Sequence, residues 1–146
     1  MIDLLVSALM IHVEQPSASL PSAYVGRYYS ASEEGTRRCI ATRESEGNRT
    51  GTGGNGRYQG PYQMLGPLVV GATWMMRAEL RDMYGHREGT MLARRLRATP
   101  LHKWDSPMLQ DMAFWTIYSW KGTASGAKHW AGGRWSCPSG MRTWSR

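Results

Sequence analysis

Between positions 48 and 60, five of thirteen residues are glycine, and most of the others are Thr, Asn, Arg, Tyr or Gln. A helix cannot absorb that much backbone freedom, so the run predicts turns or a small hairpin. It divides a chain that carries helix punctuation on both sides. Upstream, Ser30 and Glu33 form an S-x-x-E capping box, Glu33 and Glu34 lie in a first turn, and Gly47-Asn48 supplies a stop, predicting a helix over 31–46. Downstream, Pro67 opens and Gly85 closes a second helical pattern, with Leu68, Val69, Ala72, Met75, Met76, Leu80 and Met83 as its core face. The basic stretch 86–103 reads as an exposed excursion, partly helical over 91–96 and ended by Pro100. Asp105-Ser106-Pro107 starts another helix, which buries Leu109, Met112, Ala113, Thr116, Ile117 and Trp120 before Gly122. The fold class expected is mainly α (α+β), a helical domain with a small loop or hairpin region lining a cleft.

At 146 residues the chain suits one domain with a sizeable core. We place that domain at 30–138, preceded by an N-terminal segment over 1–29 and followed by a tail over 139–146. The apolar start, 1–13, is too short to span a membrane; it reads as a signal peptide or a packing arm, with small residues at Ser17-Ala18-Ser19 resembling a cleavage region. Positions 15–21, with two prolines and two serines, read as a linker. Gly51, Gly53 and Gly56 satisfy G-x-G-x-x-G, but no apolar strand precedes them and no helix follows directly, so a nucleotide site is not expected.

A net charge of +7 favours anionic partners. The arginines are scattered rather than gathered along a groove or recognition helix, so the partner expected is an anionic matrix and not nucleic acid. Seven Trp and seven Tyr against one Phe supply side chains with an apolar body and a polar tip, a surface that suits sugars. His12, His86, His102 and His129 are dispersed without metal-ligand spacing, and neither a metal nor a cofactor is expected. Cys39 and Cys137 fit no C-x-x-C pattern. They are either two core thiols or a bridge tying the first helix to the C-terminal end, which would imply an oxidising, extracytoplasmic setting.

The residue of greatest chemical interest is Glu44, a carboxylate in the last turn of a helix. There it faces the partially negative end of the helix dipole, and apolar neighbours would further disfavour its charged form. A carboxylic acid that keeps its proton can donate it to a glycosidic oxygen.

Cys39-Ile40, Arg43-Glu44-Ser45-x-Gly47-Asn48, Gly56-x-Tyr58, Gly60-x-Tyr62-Gln63-Met64, Thr73-Trp74, Gln110-Asp111-x-Ala113, Tyr118 and Trp135-Ser136-Cys137 together resemble the transglycosylase-like domains related to resuscitation-promoting factors, within the lysozyme-like superfamily. The resemblance spans about 37–137, and its most specific part is E-S-x-G-N followed by G-x-Y-Q. It implies a compact lysozyme-like helical fold with a peptidoglycan cleft. It implies that Glu44 is the catalytic acid, that Gln63, Tyr58, Tyr62 and Tyr118 bind substrate, and that Cys39 pairs with Cys137. Two features depart from the family pattern: Glu46 stands where glycine is frequent, and the cysteine lies five residues before the glutamate.

The activity implied is cleavage of glycan strands between N-acetylmuramic acid and N-acetylglucosamine. A hydrolase normally needs a second carboxylate, and Asp82, Asp105 and Asp111 read as helix-surface or capping groups. A lytic transglycosylase manages with one Glu and yields 1,6-anhydromuramyl products, which makes it the preferred expectation. The alternatives are a hydrolytic muramidase and a non-catalytic wall-binding or phage structural module. The protein is expected to be a monomer that acts outside the cytoplasm or is carried by a phage.

Overall fold

The computed structural model describes residues 16–131 and Cys137. Four helices and one small sheet carry these residues. α1 spans Glu34–Ser45, entered through a 3-10 turn at Ala31–Glu33. The glycine-rich run that follows forms β1 (Thr52–Gly53), β2 (Tyr58–Gln59) and β3 (Met64–Leu65), an antiparallel meander in which Gly53 faces Tyr58 and Gln59 faces Met64. α2 covers Gly66–Tyr84, α3 His86–Arg97 and α4 Pro107–Ser119. Short 3-10 turns occupy Leu101–Lys103 and Ala127–Trp130. The class is therefore mainly α (α+β). Among the described residues, no helix is long and apolar enough to cross a membrane.

α4 runs through the centre. Every residue from Leu109 to Ser119 is buried, and Phe114 stacks between Tyr62 and Tyr118 at ring separations of 4.5 and 5.0 Å. Its N-terminus is capped by Ser106, whose Oγ accepts from the Leu109 N–H at 3.2 Å, ahead of Pro107. Asp105 is exposed beside it.

Several expectations change here. α3 is no excursion: the whole of His86–Arg97 is helical and packs on α2 through Gly89, Ala93 and Leu96. A side chain at Gly89 would run into the Arg81 backbone, so glycine sets how closely the two helices approach. Arg97 closes the pair by lying 3.5 Å above the ring of Trp74 on α2. Met83 is 47% exposed rather than core, because it sits at the solvent end of α2. Ser30 makes no side-chain cap. Glu33 is turned inward, where its Oε2 accepts from the Tyr118 hydroxyl at 2.7 Å.

Residues 16–21 form no free linker. Ala18 is fully buried, and its N–H bonds Gly47 O at 2.9 Å. Two buried arginines hold this segment. Arg37 donates to the carbonyls of Ala18 and Leu20 at 2.7 and 2.6 Å, and Arg49 donates to that of Pro16 at 2.6 Å. Strap, helix and loop are thereby fastened by charge-assisted bonds, which are stronger than neutral ones. Cys39 and Cys137 are joined by a disulfide, with their Cα atoms 5.8 Å apart.

Candidate functional site

α1 stops where its last carbonyls are taken. The Glu46 N–H bonds Thr42 O at 2.9 Å and the Gly47 N–H bonds Ala41 O at 3.0 Å, the paired arrangement that ends a helix on left-handed residues. Glu46 has φ 55° and Gly47 φ 76°. The terminus comes one residue earlier than expected, and Glu46 occupies a conformation that suits glycine better. Gly47 has a second constraint: any side chain there would collide with Ser17 and Ser19 of the strap.

Glu44 stands in this last turn, its side chain 27% exposed. Its neighbourhood is not the apolar one expected. Oε1 accepts from Arg43 Nε and Nη2 at 3.1 and 2.7 Å. Adjacent residues on a helix ordinarily point apart. Arg43 reaches Glu44 because its Nη2 is also drawn to Trp130 O at 2.8 Å, on the turn that closes over the end of α1. Among the described residues, Oε2 of Glu44 has no protein partner. The arrangement is a carboxylate with one oxygen fixed and the other presented.

Two further bonds set the wall beside it. Ser45 Oγ donates to Pro61 O at 2.7 Å, and Trp130 Nε1 donates to Tyr62 O at 2.9 Å. The loop 60–63 is thus clamped against the end of α1 and the 127–130 turn. Gln63, at φ 47°, leaves this loop with its Nε2 bonded to Gly60 O at 2.8 Å, while its Oε1 has no protein partner among the described residues. Tyr58, on β2 in the same small sheet, is 40% exposed. Glu44, Gln63 and Tyr58 can all meet a ligand.

Tyr62 and Tyr118 cannot, and their expected role in binding substrate is corrected. Both are buried, at 0% and 1% exposure, and their hydroxyls point into the protein. Tyr62 donates to Asp111 Oδ1 at 2.6 Å and accepts from Arg37 Nη1 at 2.8 Å. Burial above all, with Asp111 taking its hydrogen bond, pushes the Tyr62 phenol far up from the ordinary tyrosine range, although Arg37 pulls the other way. Tyr118 bonds Glu33.

Asp111 is likewise no surface group. It is fully buried, with Oδ1 bonded to Arg49 Nη1 at 2.9 Å and Oδ2 to Arg49 Nη2 at 3.1 Å and to the Ala23 N–H at 2.9 Å. Gln110, its neighbour, donates to the carbonyls of Arg49, Leu101 and Trp104. The Q-D pair is a structural clamp. Asp82 is at the surface, paired with Arg27 at 2.6 Å.

Arg43 and Trp130 were not assigned roles from sequence. The only signal for Arg43 was its adjacency to Glu44, and spacing on an ideal helix argues against that contact. Comparison with protein-family models, with curated proteins and with solved structures finds no match for the chain.

Proposed function

We propose that the protein cleaves peptidoglycan glycan strands between N-acetylmuramic acid and N-acetylglucosamine as a lytic transglycosylase, in a lysozyme-like domain related to those of resuscitation-promoting factors, with Glu44 as its acid and base. The observation that carries this reading is the partly exposed Glu44 carboxyl, held by Arg43 through Oε1 and open at Oε2, beside a clamped loop that carries Gln63.

In the proposed reaction the Glu44 carboxyl donates its proton to the glycosidic oxygen as the bond from that oxygen to the muramyl anomeric carbon breaks. The N-acetylglucosamine end leaves as an alcohol. The resulting carboxylate then takes the proton of the muramyl C6 hydroxyl while that oxygen bonds the anomeric carbon. A 1,6-anhydro ring forms, Glu44 regains its proton, and no water is consumed. Arg43 fixes the carboxyl rather than touching sugar. Gln63 Oε1 accepts from a substrate hydroxyl or amide, and the Tyr58 ring offers a face to the sugar.

Four of the other carboxylates are withdrawn from hydrolytic chemistry, while Glu46, two residues from Glu44, is exposed. Asp111, Glu33, Glu34 and Glu79 are bonded to Arg49, Tyr118, Arg37 and Tyr24 respectively, which leaves none of them free to activate water. Release of soluble fragments from purified peptidoglycan, read by mass spectrometry, tests the proposal. Anhydromuramyl products from the parent and none from Glu44→Gln are expected, a loss of at least about 100-fold. Reducing-end muramyl products would assign a muramidase, and wall binding without cleavage would assign a binding module. An enzyme of this kind works outside the cytoplasm, where the Cys39–Cys137 bridge is stable.

A further inference from the structure

A cavity lies between the first half of α2 and the end of α4, with a volume of about 290 Å³. Leu68, Met75 and Trp120 are among its apolar walls, and Lys121, Lys128 and His129 stand on its polar side. Trp120, expected in the core, is 41% exposed because it forms this wall, braced by the Tyr28 ring at 5.4 Å. No Asp or Glu lines the space, and neither lysine has a carboxylate partner among the described residues. The chain therefore sets two uncompensated ammonium groups over an apolar floor. Such a site attracts an anion and selects one with an apolar body.

The size narrows the ligand. The cavity is at the small end of ligand sites, with room for one or two small residues and not for a disaccharide. We propose that it binds the carboxylate-bearing end of a short peptide with small apolar side chains, the chemistry of a peptidoglycan stem peptide. The identity of that peptide rests on the proposed function; the cavity's preference for an apolar carboxylate does not. The two places share one element. His129 lines the cavity, and the next residue, Trp130, supplies the carbonyl that holds Arg43 against Glu44. A strand whose peptide is seated here is anchored to the same turn that positions the acid, so strands still carrying peptides are the preferred substrate.

The test is titration of the full chain with the pentapeptide L-alanyl-γ-D-glutamyl-L-lysyl-D-alanyl-D-alanine, followed by NMR. Shifts are expected at residues around the cavity, with affinity at least about tenfold weaker after amidation of the peptide carboxylates and in Lys121→Glu/Lys128→Glu. Gly71→Leu provides a block that changes no charge, since a Cβ at Gly71 meets nothing within 4 Å and the added side chain enters the cavity. It should weaken binding similarly. Absence of binding at millimolar peptide, or equal binding by the parent and both variants, overturns the proposal. Glu44→Gln should bind the peptide as the parent does. Peptide binding without strand cleavage would leave the cavity standing and remove the Glu44 reading, whereas strand cleavage without peptide binding would do the reverse.

Discussion

The two ends of α1 handle charge in opposite ways. At its beginning, Arg37 is fully buried, and each guanidinium nitrogen is engaged: Nε and Nη2 by Glu34, Nη1 by Tyr62 and Ala18 O, and Nη2 also by Leu20 O. At its end, Glu44 has one oxygen held and one left over. Burying an ion is tolerable only when partners replace its water, so the first arrangement is over-determined. The second is incomplete by the same standard, and partial exposure to solvent is what permits it. One helix thus carries a junction that must not change and a group that is available to react.

The contrast can be broken most severely between the two ends. Cys39 ties the middle of α1 to Cys137 across a sequence separation of 98, so a Cys39→Ser/Cys137→Ser variant should lose about 4–5 kcal/mol of stability in the chain-entropy picture. Urea unfolding with and without reductant measures this. Next comes the buried junction itself. Asp111→Asn removes the charge that faces Arg49 and is expected to cost about 3–5 kcal/mol, read from the same unfolding curves. A cost below about 1 kcal/mol would mean that the two ends are not so different after all.

Glu44→Gln should shift stability by less than about 0.5 kcal/mol while abolishing strand cleavage, since its ion pair is partly exposed. Alkaline pH probes two buried phenols, Tyr62 at the junction and Tyr24 against Glu79 of α2. The phenols of Tyr62 and Tyr24 are held well above the ordinary value of 10.0, chiefly by burial. Above about pH 10 the unfolded chain therefore binds fewer protons than the folded one, and stability falls as pH rises, by up to about 1.4 kcal/mol per pH unit for each phenol. Tyr62→Phe should remove part of that slope in a pH series of unfolding curves. The smallest effect is a gain. Glu46→Gly relieves a left-handed non-glycine residue and should raise stability by roughly 0.5 kcal/mol, visible as a higher midpoint in thermal melts.

What was legible in the chain was its punctuation. Pro67, Gly85, Pro107 and the glycine run marked elements that the structure contains, because those residues act through backbone conformation that neighbours in sequence alone determine. What was not legible was where polar side chains point. Asp111 lies on a helix that reads as one-sided, yet α4 is buried all round, and its partners Ala23, Arg49 and Tyr62 are 88, 62 and 49 residues away. No local pattern encodes such pairs. Glu33 shows the same limit at short range: the capping-box spacing is present, but Tyr118 offers it a better partner. For Glu44 the helix end was readable, and the guanidinium that holds it was not.

Those long separations have a kinetic meaning. A junction that gathers three distant segments onto one carboxylate carries a high loop-closure cost, so it should assemble late, after α1 and the α2–α3 pair have formed. Its loss would then leave the folding limb of a chevron nearly unmoved and steepen escape from the native state. Asp111 would be a latch rather than a nucleus, setting how long the protein lasts outside equilibrium more than how fast it arrives there.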